Sequence, residues 1–301
     1  MRIMFDEVRN NKVKSWVLIS FFIIIIGFLC ALIGLIYDNL YFGIFIAIIF
    51  SMIYALVGFF SGDKMILKMS GARPVTKKEY PYLYHTIEGL AISAGIPTPK
   101  AYVIEDSALN AFATGRDLKH SSITVTTGLL KKMNRQELEG VIAHEMSHIK
   151  NYDIRFMMLA VVLVGIVTLI SDFLLRNFLW GRGRRRRDSK SGGQLTIILI
   201  AIGGILAILS PLVGKMIKLA ISRKREFMAD ANAAILTRYP PGLVNALRKI
   251  AKDPDPLVDR ANKATAHLFI STPFRKEKGI ITNLFSTHPS IEERIRRLEE
   301  M

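Results

Sequence analysis

Cysteine is almost absent from this chain of 301 residues, since only Cys30 is present, inside an apolar run. A single cysteine excludes a disulfide framework and a thiolate metal cluster within the chain. A reducing, cytoplasm-facing compartment is compatible with that composition. The first apolar run is also not followed by a small-residue cleavage site, which predicts that no signal peptide is removed.

Histidine is scarce as well, with six in the chain, whereas hydrophobic residues make up 50% of it. That proportion exceeds the needs of one soluble core, so part of the chain is expected to contact lipid. Lysine and arginine number 41 against 25 aspartates and glutamates, which gives a formal net charge of +16. Such an excess suits nucleic acid or anionic lipid headgroups. The apolar content favours the lipid bilayer as a partner and argues against nucleic acid.

Four long apolar runs divide the sequence, at 16–36, 41–60, 156–180 and 195–213. The first two carry no charge, and each is long enough to cross a bilayer as a helix. The third is weakened by Asp172 and Arg176. We therefore expect about four hydrophobic helices.

Basic residues in the short flanks predict the orientation of these helices. Four basic residues precede the first run, namely Arg2, Arg9, Lys12 and Lys14. The first hairpin turn has none. The N-terminus and residues 63–155 should therefore be cytoplasmic. The arginine-rich loop at 181–193 disagrees, so the second pair of runs either spans against this rule or lies in the cytoplasmic leaflet.

The segment between the two pairs of runs has a mixed pattern. A capping box from Thr76 to Glu79 predicts a helix through Gly89, and a following helix is expected to end at Gly95. Two β-branched runs predict a small sheet, and the C-terminal part predicts further helices: strands at 101–104 and 122–126, helices at 214–237, 241–252 and 289–300. The predicted fold class is mainly α with a small β-sheet.

Residues 134–151 read NRQELEGVIAHEMSHIKN and predict an amphipathic helix. His144 and His148 share one face of it, a turn apart, a spacing that lets two neutral imidazoles bind one zinc ion. Glu145 is rotated about 100° away and can take a proton from the water that attacks a peptide carbonyl. Two unrelated surface histidines are the alternative, but an accidental HExxH here is on the order of a one-in-a-hundred event.

A catalytic zinc also needs a third protein ligand and an open fourth position. The best candidate is Glu226, in a helical pattern at 222–230 that places Asp230 one turn later on the same face. There Asp230 could accept the free N–H of a liganding histidine. The alternative is an ordinary glutamate on an exposed charged helix, and this stretch taken alone favours that alternative.

Three motifs together resemble the HtpX-type membrane metalloproteases over nearly the whole chain: HEMSH at 144–148, SRKREFMAD at 222–230 and STHPSIEERI at 286–295. The resemblance implies one zinc ion per chain, held by His144, His148 and Glu226, with Glu145 as the general base and a gluzincin-like protease domain. It also implies a cytoplasmic-side endopeptidase of the cell membrane that degrades misfolded or damaged membrane proteins under stress.

The spacing of the motifs agrees with this resemblance. Glu226 follows His148 by 78 residues, and removing the 58 residues of 156–213 leaves 20, similar to the ligand spacing of soluble gluzincins. The chain then divides into four parts: an N-terminal transmembrane hairpin at 1–62, a first catalytic part with the HExxH helix at 63–155, a second hydrophobic pair with the basic loop at 156–213, and a second catalytic part with the glutamate ligand at 214–301.

The resemblance suggests further site residues. A substrate could add as an extra strand beside a sheet edge formed by Asn110, Ala111, Phe112 and Ala113, although a plain turn at Gly115 is an equal alternative. His288 precedes the last helix, with Pro289 expected at its first position, and either donates to the oxyanion or lies on the surface. Arg294 is expected either to pair with an acidic residue near the zinc or to contact substrate.

Two other functions compete with this interpretation. A non-catalytic zinc-binding scaffold or channel would need ionisable groups inside its apolar runs, and only Asp172 and Arg176 qualify. Prenyl-protein processing proteases share the zinc residues but have more hydrophobic segments. We therefore favour cleavage of membrane-protein or unfolded polypeptide substrates. The natural substrates and the oligomeric state stay open.

Overall fold

The computed structural model of the protein describes residues 8–21, 23–24, 39–160, 162, 223–253 and 289–301. Several predicted features fall outside these ranges: His288, the basic loop at 181–193, the run at 195–213, and most of the runs at 16–36 and 156–180.

Two helices precede the folded domain in sequence. The first, α1, covers residues 8–21, and α2 runs from Leu40 to Met69 and contains the predicted apolar run 41–60. Asn39 caps α2 by accepting the backbone N–H of Phe42. Within the part of the chain that the structure describes, no helix combines the length and apolar composition needed to cross a membrane. The four membrane-spanning helices therefore stay a prediction.

A four-stranded sheet follows, in the order β1-β2-β4-β3. Its strands are β1 (Arg73–Pro74), β2 (Lys100–Ile104), β3 (Ala111–Gly115) and β4 (Ser121–Thr126). The β2–β4 pair is parallel, and the β1–β2 and β3–β4 pairs are antiparallel. The predicted small sheet is confirmed, and residues 111–115 form an edge strand instead of a turn.

The helix predicted from Thr76 begins later, at Pro81, so its predicted start is wrong. The carbonyl of Thr76 accepts the N–H groups of Glu79 and Tyr80 in a turn, and Pro81 then opens α3 (Pro81–Ala94). Proline suits this first position because its missing N–H has no intrahelical partner there. The two helices predicted on either side of Gly89 are a single helix, which ends at Gly95, where a φ of 68° gives the left-handed conformation.

The remaining described helices follow strand β4 in sequence. They are α4 (Thr127–Lys132), α5 (Arg135–Lys150), α6 (153–160), α7 (Arg223–Thr237), α8 (Pro240–Lys252) and α9 (Ile291–Glu299). The last helix begins after Ser290, which caps it by accepting the N–H of Glu293. Pro289 therefore precedes the cap, and its predicted place at the first helical position is wrong.

Helix α5 lies at the centre of the domain, where it packs against β3, α3, α7 and α8. Its crossing with α8 is close, because Gly140 and Gly242 bring backbone against backbone: a Cβ at Gly140 would lie 2.7 Å from the Leu243 nitrogen. Almost the whole of α5 is buried, including charged and polar side chains. Since burying such groups without partners is costly, each of them needs a compensating contact.

Candidate metal centre

Two helices bring the three predicted ligands together. His144 and His148 lie one turn apart on α5, and Glu226 faces them from α7. All three are buried, with 1%, 5% and 3% of their surface exposed. One nitrogen or oxygen from each lies within 4.8 Å of the others, which makes this trio a possible metal site.

The distances fit a tetrahedral zinc site. The Nε2 atoms of His144 and His148 are 3.3 Å apart, and Glu226 places Oε2 3.7 Å from the first and Oε1 3.6 Å from the second. Ligands at about 2.0–2.1 Å from a tetrahedral zinc lie roughly 3.3–3.4 Å from one another. The distance between the two Nε2 atoms matches this value, whereas Glu226 approaches the two histidines with different oxygens and would turn to present one of them to the ion.

The hydrogen bonds of the imidazoles support the same conclusion. Nδ1 of His144 contacts Asp230 Oδ1 at 2.9 Å, and Nδ1 of His148 contacts Asp153 Oδ2 at 3.0 Å. A carboxylate partner assigns the proton to Nδ1, so each Nε2 presents a lone pair to the other and to Glu226. Such an arrangement is stable only with positive charge at its centre, either a proton or a metal ion.

The partner of His144 is itself held by an arginine. Arg294 on α9 donates from Nε and one terminal nitrogen to the two oxygens of Asp230, at 2.8 and 2.7 Å. Its guanidinium is fully buried and also lies 3.4 Å from His144 Nδ1. Of the two predicted roles for Arg294, the contact with an acidic residue near the site is the one that the structure describes.

The partner of His148 is held by two other side chains. Asp153 Oδ1 accepts a hydrogen bond of 2.7 Å from the amide of Asn11 and lies 3.6 Å from Arg225 Nε. Arg225 in turn donates to Asn11 Oδ1 at 3.1 Å. Asn11 lies on α1, more than a hundred residues away in sequence. The sequence interpretation did not include these three residues.

The surrounding charges shift the pKa values of the site. Burial and Arg294 lower the pKa of His144, but hydrogen bonds with Asp230 and Glu226 outweigh them and raise it to about 9. The pKa of His148 is also raised, because Asp153 and Glu226 outweigh its burial. Arg294 holds the pKa of Asp230 below its ordinary value despite burial of the carboxylate. The metal-free site thus attracts positive charge.

Glu145 follows the first ligand on α5 and is buried beside the trio. Burial raises the pKa of its carboxyl group above the ordinary range, although both histidines and the backbone N–H of Ala113 act to lower it. A carboxylate with a raised pKa is a better proton acceptor at neutral pH. Glu145 therefore combines a position next to the three ligands with a carboxyl group whose pKa is raised.

The pairing of β3 and β4 determines which backbone groups of β3 face outward. Thr126 donates to the carbonyl of Asn110, and Arg116 donates to that of His120, at the two ends of the pair. In an antiparallel ladder, bonded and non-bonded positions alternate, so Ala111, Ala113 and Gly115 direct their N–H and C=O groups away from β4. That direction is consistent with the hydrogen bond from Ala113 to Glu145.

The other predicted residues of this edge have different roles. The side chain of Asn110 accepts the outward N–H of Ala111 at 3.1 Å, which satisfies that donor within the chain. Phe112 is a core side chain with 1% of its surface exposed. The outward N–H groups of Ala111 and Ala113 are thus both engaged within the chain, while His288 lies outside the described residues.

Comparison with known proteins gives consistent matches. Residues 77–301 match the model of peptidase family M48. The chain is 47% identical to a protease HtpX homolog of Dictyoglomus thermophilum over 297 residues, covering 99% of this chain and 94% of that protein. It is 41% identical to a protease HtpX homolog of Streptococcus gordonii, covering 99% of this chain and all of that protein.

The fold also resembles a solved structure. The crystal structure of S. mikatae Ste24p superposes with a TM-score of 0.52 at 19% identity, and the match covers 98% of this chain and 67% of that one. At this identity the likeness concerns the fold alone.

Proposed function

This chain belongs to peptidase family M48 and is a metalloprotease of the HtpX type, and we propose that it is a membrane-bound zinc endopeptidase that cleaves misfolded or damaged membrane proteins. One observation carries the proposal: two imidazoles and a carboxylate each bring one ligand atom within 4.8 Å of the others, with Glu145 buried beside them.

Each residue of the site has a distinct part in peptide hydrolysis. A zinc ion held by His144, His148 and Glu226 would supply Lewis-acid activation of the peptide carbonyl and of the attacking water. Glu145 accepts the proton of that water and delivers it to the leaving amine. The same carboxyl group thus takes up the proton and releases it.

Strand β3 offers a way to bind substrates of many sequences. An extended peptide that adds beside it would donate to the outward carbonyls of Ala111 and Ala113, whose N–H groups are engaged by Asn110 and Glu145. Main-chain bonds of this kind do not depend on side chains. Its scissile bond would then lie next to Glu145.

The first two helices support a location in the membrane. Helix α1 exposes Trp16 and Val17 by 61% and 62%, beside the exposed basic residues Arg9, Lys12 and Lys14, a combination that suits a membrane surface with anionic headgroups. Helix α2 likewise exposes large apolar side chains along its length, namely Tyr41, Phe42, Ile44, Phe45, Ile48, Met52, Ile53, Leu56, Val57 and Phe60. A contiguous apolar surface of this extent is typical of contact with lipid or with another protein.

Activity is best tested in a bilayer. The chelated protein is reconstituted into liposomes together with an unfolded membrane-protein substrate, and one equivalent of zinc is added. We expect cleavage by the wild type and by Glu139→Gln, which changes a carboxylate on the outer part of the same helix, but not by Glu145→Gln. Cleavage by Glu145→Gln at the wild-type rate would exclude Glu145 as the base.

Orientation needs a separate experiment. Lys100 is exposed at the start of β2, so Lys100→Cys in a Cys30→Ser background provides a single labelling site. With the site facing the cytoplasm, an impermeant maleimide labels this cysteine only after the cells are permeabilised. Labelling in intact cells would contradict the cytoplasmic orientation.

A further inference from the structure

We propose that Asn11, in the N-terminal helix α1, is a positioning residue for the metal ligand His148. The proposal rests on the proposed zinc site, because it concerns how one ligand of that site is oriented. It makes the first described turns of the chain part of the metalloprotease machinery instead of a membrane anchor alone.

The burial of α1 points to this role. Three of its residues, Asn11, Ser15 and Leu18, are at most 2% exposed, and their spacing of four and three places them on one face of the helix. The buried end of this face is polar, and Asn11 is completely inaccessible. The preceding residue, Asn10, is exposed. Two asparagines in succession therefore occupy opposite environments.

The side-chain amide of Asn11 is fully used. Its nitrogen donates to the carbonyl oxygen of Asn151 at 2.9 Å and to Asp153 Oδ1 at 2.7 Å, and its oxygen accepts from Arg225 at 3.1 Å. Both hydrogens of the amide and its carbonyl are thus engaged, each with a different element of the domain.

These contacts fix the orientation of Asp153. Asn11 occupies Oδ1, and Oδ2 is left directed at Nδ1 of His148, 3.0 Å away. A ligating histidine depends on such a partner for its tautomer and ring orientation. Asn11 therefore acts on His148 through one intervening carboxylate.

No other side chain of this size satisfies the same set of partners. Aspartate would place a second negative charge against Asp153 and would lose both donors. Leucine has nearly the same volume but would leave the Asn151 carbonyl and one carboxylate oxygen without the bonds that Asn11 supplies. An asparagine at this position meets both requirements.

The test compares neighbouring asparagines in the full-length protein purified in detergent. Asn11→Leu and the milder Asn11→Ser are matched by Asn10→Leu and Asn10→Ser. Each protein is stripped of metal, and its zinc affinity is measured by competition with a chromogenic chelator. The visible absorption of the cobalt(II) form reports the ligand geometry independently of activity.

We expect Asn11→Leu to bind zinc roughly tenfold more weakly, at the lower end of the usual effect of such partners because Asn11 acts through Asp153. Its cobalt spectrum should change, whereas the Asn10 variants match the wild type. Equal zinc affinity and equal cobalt spectra in the Asn10 and Asn11 variants would overturn the proposal.

Thermal unfolding with and without zinc separates positioning from general stability. A purely structural Asn11 would lower both melting temperatures equally, whereas a positioning residue reduces the rise that zinc produces. If Asn11→Leu does not fold, the increase in melting temperature that zinc produces is compared between Asn11→Ser and the wild type. Absence of zinc binding by the wild type would instead contradict the proposed function, so the two failures are distinguishable.

Discussion

The two histidines of the metal centre are held from opposite sides by different means. His144 contacts Asp230, which forms a two-bond ion pair with the buried Arg294 of the last helix. His148 contacts Asp153, which is held by the neutral amide of Asn11 and has Arg225 farther away. One side is thus fixed mainly by charge and the other mainly by hydrogen-bond geometry. The support of His144 by Asp230 and Arg294 should therefore contribute more to folding stability. The support of His148 by Asp153 and Asn11 should contribute more to the orientation of the ligand.

Removal of a metal ligand should have the largest effect, and this effect should be the same for the two histidines. His144→Ala and His148→Ala each remove one of three ligands, so both variants should lose bound zinc and detectable proteolysis together. Metal content after dialysis, measured beside peptide cleavage, checks this. His85→Ala, on the exposed part of α3, serves as the control and should keep both. Retention of one zinc by only one of the two ligand variants would show that the ligands are not equivalent.

Replacing Arg294 should lower the free energy of unfolding more than replacing Arg225. Arg294→Met removes the two-bond partner of the buried Asp230 and leaves it only His144, and breaking a buried ion pair costs up to about 3–5 kcal/mol of folding free energy. Arg225→Met should cost less, about 1–3 kcal/mol, because Asn11 still donates to Asp153. Denaturant unfolding of the metal-free proteins measures both costs.

The control for this pair is Arg296→Met, two residues from Arg294 and exposed, where a surface ion pair contributes at most about 1 kcal/mol. Equal losses for Arg294→Met and Arg225→Met would remove the proposed contrast between a charged and a neutral support.

The two carboxylates should have more similar effects on metal binding. Asp230→Asn and Asp153→Asn each remove the acceptor of one imidazole N–H, and we expect zinc affinity to fall by roughly 10- to 100-fold in both. Asp117→Asn, which changes a surface partner of His120, should leave it unchanged. If zinc affinity fell in Asp230→Asn but not in Asp153→Asn, Asp153 would not be the residue that orients His148.

The pH dependence of zinc binding is the smallest predicted effect. The metal-free site raises the pKa of His144 to about 9, so below that pH a bound proton must leave before the neutral imidazole can bind zinc. Zinc affinity should therefore weaken as the pH falls, by about tenfold per unit for each displaced proton. Chelator competition at pH 7 and pH 8 measures the slope, and Asp230→Asn should reduce it. A slope of zero would contradict the raised pKa.

Sequence and structure agree where the site depends on helical spacing. The pairs His144 with His148 and Glu226 with Asp230 are each four residues apart, and a helix places such residues on one face. A capping box of Asn134 and Glu137 begins α5, at the start of the stretch 134–151 that was predicted to be helical. Two of the four strands, β2 and β4, were predictable from their β-branched runs.

The support of His148 could not be predicted in the same way. Asp153 follows the end of α5, and it returns to His148 because Tyr152 takes a positive φ of 60°, a conformation that a bulky residue rarely adopts. Asn11 reaches the site only through tertiary packing of α1. The one hint in the sequence is an asparagine and a serine at helical spacing just before an apolar run, a signal too weak to name a partner.

The start of α3 was missed for a related reason. Thr76 and Glu79 match a capping box, but Pro81 follows closely and fixes the first helical position instead. Local patterns thus predict that a helix exists better than they predict where it begins.

The most direct measurement is a zinc titration of the metal-free protein and of its Glu145→Gln variant, followed in parallel by bound metal and by cleavage of an unfolded polypeptide. We predict that both proteins bind one zinc ion per chain, and that cleavage by the wild type rises in proportion and stops at one equivalent while the variant stays inactive. Cleavage that is independent of zinc, or wild-type cleavage by the variant, would contradict a metal site served by Glu145.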